Sequence, residues 1–298
     1  MPTIIQNLGE FHGNQLFIKR EDLIPYSFGG NKARKGILFF QDIDKGKYDT
    51  VVTYGSSHSN HCRVIANMAA ARGMLCIIIG PEEVSEQTFN SQLMKLFGAC
   101  IITVPVDRVH DTIEEKLEEI RSKGKKPYFI PGGGHGNIGT EAYVRCYEEI
   151  REQGKFDYIF FASGTGTTHA GLVCGKLQYN GSEQIIGISI ARKNPRGRQI
   201  VLDSIYEYSG NDNRADDATI FIDDYIGAGY GKENMEIEWT IRDVLLKYGI
   251  PLDSTYTAKA FNGMTKYIQA QGIKDKKILF IHTGGTPLFF DDLKTTHL

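Results

Sequence analysis

The chain has 298 residues, 41% of them hydrophobic and 23% charged, with a formal net charge of −2, enough apolar material for one large or two medium domains. The near-neutral balance and scattered basic residues argue against nucleic acid as a partner. The five cysteines (Cys62, Cys76, Cys100, Cys146 and Cys174) form no CxxC and lie mostly in apolar runs, which reads as reduced core thiols of a cytoplasmic protein and not as disulfides or metal ligands.

Residues 16–19 read as a short strand that leads to a Pro25 turn. The stretch Ser27-Phe-Gly-Gly-Asn-Lys-Ala-Arg-Lys35 follows, its two glycines freeing the backbone just before a helical pattern over 33–41. Strand 50–54 runs through a polar turn into a helix that begins near residue 60. Strand 75–79, helix 86–97, strand 100–104, helix 111–123 and strand 128–130 come next. A Gly-rich segment over 131–137 precedes a helix over 138–153, and strand 157–162 enters Ser163-Gly-Thr-Gly-Thr-Thr168 and a helix over 169–179. Strand 185–190 and a helix opened by Pro195 and running to 209 lead to a solvated loop over 210–218. A strand over 219–223, a Gly-rich flexible segment over 226–231, helices 233–248 and 258–271 and a buried strand 277–282 complete the chain. Short apolar runs alternating with amphipathic stretches predict an α/β fold of parallel βαβ units. No apolar run approaches the length of a membrane span, and the N-terminus has no basic region followed by an apolar stretch.

The unusual chemistry sits at strand ends, where open α/β sheets bind ligands. Lys32 falls in the first turn of its helix, beside free N–H groups and the positive end of the dipole. A cation is misplaced there. Desolvation and nearby positive charge lower an amine's pKa, and a Schiff base with an aldehyde cofactor fits such a lysine. On this stretch alone, a solvated lysine beside Arg34 and Lys35 is the plainer reading. Ser163–Thr168 combines glycines, hydroxyls and a helix N-terminus, which suits a phosphate. It lacks both the Gly-Lys-Ser/Thr of a nucleotide loop and GxGxxG spacing, so it favours a small phosphate monoester over ATP or NAD; an ordinary capped turn is the alternative. Gly55-Ser-Ser-His-Ser-Asn-His61 converges hydroxyl, amide and imidazole groups where capping by Ser59 or Asn60 explains only one of them. His58 and His61 lack a suitably spaced cysteine or carboxylate, so no metal site is expected. His282-Thr-Gly-Gly-Thr286 lets a flat ring approach a threonine hydroxyl, and Tyr230 and Tyr256 border Gly/Pro-rich turns, where each taken singly is a packing tyrosine.

The set Gly29-Gly-Asn-Lys-Ala-Arg-Lys35, Ser59-Asn-His61, Ser163-Gly-Thr-Gly-Thr-Thr-His-Ala-Gly171, Tyr256-Thr-Ala-Lys-Ala260 and His282-Thr-Gly-Gly285 resembles the 1-aminocyclopropane-1-carboxylate deaminase/D-cysteine desulfhydrase family. That family belongs to the fold type II, tryptophan-synthase-β-like pyridoxal-phosphate enzymes, and the resemblance spans nearly the whole chain in the family's order. It implies two open twisted α/β domains: a large one from 1–40 plus 150–298 and a small inserted one over 41–149. It implies pyridoxal 5'-phosphate on Lys32, its phosphate held by Gly164, Thr165, Gly166, Thr167 and Thr168, its phenolic oxygen by Asn60 and its ring nitrogen by Thr283. Ser59 would bind the substrate carboxylate (in the cyclopropane deaminases the equivalent serine assists proton transfer), with His58, Asn60, Tyr230 and Tyr256 bordering a small amino-acid substrate. A homodimer is expected from the family.

Within the family, the cyclopropane deaminases follow the Tyr256 motif with a glutamate that pairs with the ring nitrogen. Thr257 stands there in this chain. A hydroxyl leaves the ring a weaker electron sink, sufficient for loss of a good β-leaving group and less suited to opening a cyclopropane. The closer resemblance is therefore to D-cysteine desulfhydrase, with cyclopropane deamination, a lyase for another β-substituted amino acid, or a catalytically silent cofactor-binding protein as alternatives. His58 stands where members usually carry glutamine, and Thr167 where they usually carry glycine.

Overall fold

A six-stranded and a four-stranded sheet organise the chain in the computed structural model, which describes residues 2–225 and 235–295. In chain order the first part contains β1 (Ile5–Phe11), β2 (Asn14–Arg20), α1 (Asn31–Gly46), β3 (Thr50–Tyr54), α2 (Asn60–Ala70), β4 (Leu75–Pro81), α3 (Phe89–Leu96), β5 (Cys100–Val104), α4 (Val109–Ser122) and β6 (Pro127–Ile130). The second contains α5 (Asn137–Gln153), β7 (Tyr158–Ser163), α6 (Thr167–Tyr179), β8 (Gln184–Ser189), α7 (Arg196–Ser209), α8 (Ala215–Ala218), β9 (Ile220–Ile222), α9 (Met235–Tyr248), α10 (Thr257–Ala270), β10 (Lys277–His282) and α11 (Thr286–Thr295).

The larger sheet has the order β1-β2-β10-β7-β8-β9 and the smaller β5-β4-β3-β6. Every pairing is parallel except β1 with β2. Parallel sheets covered on both faces need strands that are apolar throughout. Accordingly Ile278–His282, Ile159–Ser163 and Ile185–Ser189 are buried without interruption. Helices α5 and α6 pack on one face of the larger sheet and α10 on the other. Helix α1 touches both α5 and α2 and so joins the two sheets, and the Phe89 N–H at the start of α3 donates to the Asp291 carboxylate of α11 at 2.9 Å.

Three features depart from the sequence expectations. Strand β1 is an added hairpin partner of β2, closed by His12 and Gly13, both at positive φ. It is an exposed edge with a bulge between Asn7 and Gly9, so it lacks the apolar signature of the inner strands. The helix expected over 86–97 starts at Phe89, because Thr88 and Ser91 form a reciprocal cap. The loop expected to be solvated over 210–218 contains the short helix α8, which buries Ala215 and Ala218. The Gly-rich segment read as flexible over 226–231 lies outside the described residues. Four cysteines are buried, while Cys100 is exposed at the start of β5. Among the described residues no helix is long and apolar enough to cross a membrane.

Candidate active site

A cavity of about 330 Å³ opens where the carboxyl ends of β3 and β6 face those of β7, β8 and β10. It is thus lined from both sheets, at the strand ends where such folds collect ligands.

Lys32 lines this cavity, one residue into α1. The turn before it is built by glycine. Gly29 and Gly30 sit at φ of 61° and 94°, and a Cβ at Gly30 would stand 2.6 Å from the Thr283 carbonyl. That carbonyl instead accepts the Asn31 N–H at 2.9 Å, which ties the start of α1 to the end of β10. The Lys32 amine donates to the Gly133 carbonyl at 3.0 Å. Burial, with the charge of Arg192 adding to it, pushes the amine down to about 8. At pH 7.5 about a quarter of such an amine is neutral, against about a thousandth of an ordinary lysine, and only the neutral form is a nucleophile or a base.

The two basic neighbours are not surface groups. Arg34 is buried and bonds both Glu21 and Glu149, so it anchors α1 to the segment after β2 and to α5. Lys35, 1% exposed, donates to Thr167 Oγ1 at 2.6 Å. Burial and the nearby Lys32 hold the Lys35 amine well below its ordinary pKa.

The β3–α2 turn brings Ser59, Asn60 and His61 to the cavity. Ser59 is the cap of α2, its oxygen accepting the Cys62 N–H at 3.1 Å. The Asn60 carbonyl oxygen accepts from Arg63 at 3.2 Å and from Asn90 at 3.0 Å. Those donors set the amide's orientation and leave its NH₂ as the group offered to a ligand. Thr53 donates to the Ile130 carbonyl and therefore accepts from His61 Nε2 at 2.9 Å, which assigns the Nε2–H tautomer. Burial, then the charges of Lys32 and Lys35, keep His61 neutral. His58 is not at the cavity wall; its ring faces Ser57 and the Glu86 carboxylate, 3.5 Å away, and its carbonyl accepts from Asn90.

Between β7 and α6, Gly164, Thr165 and Gly166 line the cavity, joined by Thr168 from the first turn of α6. No side chain caps α6, and Gly166 at φ 103° turns the chain into the helix, so the first-turn N–H groups remain open. The Thr168 hydroxyl accepts from the Asn31 amide at 3.1 Å. Thr167 does not line the cavity; its side chain points elsewhere, to Lys35.

Thr283 and Gly284 follow β10 directly and line the cavity, and Tyr256 borders it from the turn before α10. Thr257 does not reach it. Its hydroxyl donates to the buried Asp253 carboxylate at 2.7 Å, and that carboxylate also accepts the N–H groups of Thr255, Tyr256 and Thr257. Burial outweighs those bonds and raises the Asp253 carboxyl to about 6. Tyr230 lies outside the described residues. Sequence reasoning missed Asn31, Tyr54, Gly132, Gly133 and Arg192 as cavity residues. A Gly-rich segment directly after β6 was the available signal for Gly132 and Gly133; nothing local marked Tyr54 or Arg192.

The family model for pyridoxal-phosphate dependent enzymes matches residues 2–284. The chain is 34% identical to D-cysteine desulfhydrase of Yersinia enterocolitica over 303 residues, covering 96% of this chain and 91% of the relative. D-cysteine desulfhydrase of Serratia proteamaculans is 32% identical over the same shares. Among solved structures, an ACC deaminase homologue superposes with a TM-score of 0.87 at 33% identity, covering 99% of this chain and 93% of that one. Threonine deaminase isoform 2 of Solanum lycopersicum shares the fold at a TM-score of 0.68 and 20% identity, covering 99% and 82%. The chain belongs to the fold type II pyridoxal-phosphate-dependent enzymes, in the 1-aminocyclopropane-1-carboxylate deaminase/D-cysteine desulfhydrase family.

Proposed function

We propose that this enzyme is a lyase that carries out α,β-elimination on a small amino acid with a β-leaving group, D-cysteine or a close analogue, and releases pyruvate, ammonia and sulfide. The observation that carries the reading is one cavity holding a lysine amine of depressed pKa, an uncapped helix N-terminus and a strand-end threonine hydroxyl.

The residues present fit pyridoxal phosphate. The open amides of α6, with Gly164–Gly166 and Thr168, suit a dianion. The Asn60 NH₂ suits a phenolic oxygen, and the Thr283 hydroxyl at the cavity wall suits a ring nitrogen. Thr167 contributes through its N–H in this reading. When bound, the cofactor supplies an aldehyde for the substrate amine and a conjugated ring that draws electrons from Cα.

Lys32 would hold the cofactor through its amine, and that amine, neutral in part near pH 7.5, would be the base that takes the Cα proton. That C–H electron pair forms the Cα–Cβ double bond as the Cβ–S bond breaks with sulfur taking its pair. The released enamine tautomerises and takes up water to give the keto acid and ammonia. Ser59 binds the substrate carboxylate and assists proton transfer, while Tyr256, with Tyr230, borders the substrate. The remoteness of His58 from the cavity wall supports assigning it to the turn's shape, through Glu86 and Asn90, before any substrate contact.

Deamination of 1-aminocyclopropane-1-carboxylate is the second reading, supported by the 33% identity to the ACC deaminase homologue. Thr257, held by Asp253, offers the ring no carboxylate, which favours elimination. The division into 1–40 plus 150–298 and 41–149 is supported by the two sheets, whose strands fall in separate parts of the chain. A cytoplasmic homodimer completes the proposal, and sedimentation measures its mass.

A panel of amino acids in both enantiomers, assayed for keto acid and ammonia, tests the function. D-Cysteine turnover with a visible cofactor band that vanishes in Lys32→Ala is the expected result. A band with no turnover of any member leaves a silent binding protein; a wild-type chain without a band overturns the whole reading.

A further inference from the structure

The cavity wall carries two cations, Lys32 and Arg192, and among the described residues no carboxylate. Arg192 follows β8 and is half-buried. Its backbone is pinned by the Ser189 hydroxyl, which donates to its carbonyl at 2.6 Å. Its Nη1 donates to the carbonyl of Gly164, the first glycine of the turn that opens α6. A guanidinium has five N–H donors in a rigid fork, and no hydrogen bond or ion pair joins the others to a described residue. A partly desolvated guanidinium without a counter-charge is costly unless an anion faces it. Burial and the nearby Arg196 push its pKa below the guanidinium value, and its charge contributes to lowering Lys32. Both effects fit a site arranged for a negative ligand.

We infer that Arg192 is an anion-binding residue of this cavity and that the oxyanion it takes is the cofactor's phosphate, which it shares with the open amides of α6. The inference rests on the reading given under Proposed function. The same chemistry would serve an acidic group on the substrate. The bond to Gly164 favours the phosphate, because Gly164 belongs to the phosphate turn, whereas Ser59 and Tyr256 stand on other elements.

The test compares pyridoxal phosphate with pyridoxal, which lacks only the phosphate. Each is titrated into the full wild-type chain, Arg192→Met and Arg192→Lys, with the visible band and fluorescence as readouts. Thermal denaturation without cofactor checks the fold. Arg192→Met is expected to weaken pyridoxal phosphate about 10- to 100-fold, the span of a charge-assisted hydrogen bond, and to leave pyridoxal within about twofold. Arg192→Lys falls between, since it keeps the charge and loses the fork. Equal losses for both aldehydes, or no loss for either, overturn the inference. So does an unchanged cofactor affinity with a raised KM confined to amino acids bearing a second acidic group, which assigns Arg192 to the substrate. If the Met variant does not fold, the Lys variant decides: selective loss of the phosphate form supports the assignment and parallel loss overturns it. A wild-type chain that binds neither aldehyde refutes the proposed function itself, a distinguishable result.

Discussion

Replacing Glu21 with glutamine removes one charge from a buried network while keeping its shape. Glu21 is fully buried and accepts from Arg34 through two nitrogens, from Thr3 at 2.6 Å and from Tyr143 at 3.2 Å. Arg34 also bonds Glu149 at 2.8 and 2.9 Å, and Lys19 bonds Glu149 at 3.1 Å. Two acids and two bases balance, so Glu21→Gln leaves a buried positive charge without its counter-ion. Breaking a buried pair in this way costs about 3–5 kcal/mol. The unfolding entropy of a chain this long is roughly 0.6 kcal/mol/K, so the variant is expected to melt about 5–8 °C below the wild type at pH 7. Burial by itself would raise the Glu21 carboxyl, but Arg34, through charge and hydrogen bonds, outweighs it and holds the pKa below the ordinary 4.5. A depressed carboxyl contributes stability that is present above its unfolded pKa and is lost as pH falls through the folded one. The gap between the two proteins therefore narrows as pH falls from 7 to 3. Differential scanning calorimetry across that range measures it. A gap under about 2 °C at pH 7, or one that stays constant down to pH 3, refutes the assignment of this network as the anchor of α1.

Three further outcomes are expected. The rate at which Lys32 captures an aldehyde should rise about tenfold from pH 7 to 9 and then level, as a pKa of about 8 requires; a rate that climbs about a hundredfold over that interval would mean an ordinary lysine. Gly30→Ala forces φ 94° on a residue with a Cβ, placed 2.6 Å from the Thr283 carbonyl. A loss of about 1–3 kcal/mol in denaturant unfolding, with weaker cofactor binding, should follow, and an unchanged midpoint would sink the close-approach argument. Thr257→Glu sets a second buried carboxylate against Asp253, whose carboxyl is already raised to about 6. It should destabilise the fold, and more at pH 8, where both groups are charged, than at pH 5.5, where one proton can be shared; equal loss at the two pH values would refute the like-charge explanation.

The parallel strands were readable because both of their faces are buried, which makes them apolar runs regardless of where they pair. Strand β1 was not, because an edge strand with a bulge needs no such run, and its partner β2 supplies the register. Gly29-Gly30 before Lys32 and Gly164–Gly166 before α6 were readable for a related reason: the special backbone is encoded by the residues that adopt it. The directions of side chains were a different matter. Arg34 and Lys35 look like solvated neighbours of Lys32, yet they are buried against partners that include Glu149 and Thr167, more than a hundred residues along the chain. Thr167 turns its hydroxyl to Lys35 and away from the cavity, Thr257 turns to Asp253, and His58 turns to Glu86.

The linear chain by itself determined the order of strands and helices, the glycine turns at their junctions and the amine on which the chemistry centres, since all of these are carried by periodicity and local backbone chemistry. Only the tertiary structure decided which groups face the ligand, and it brought in Tyr54 and Arg192, which no motif marks. β7 and β8 must pair side by side before a charge after the end of β8 can act at the start of α6, and that juxtaposition is a product of packing.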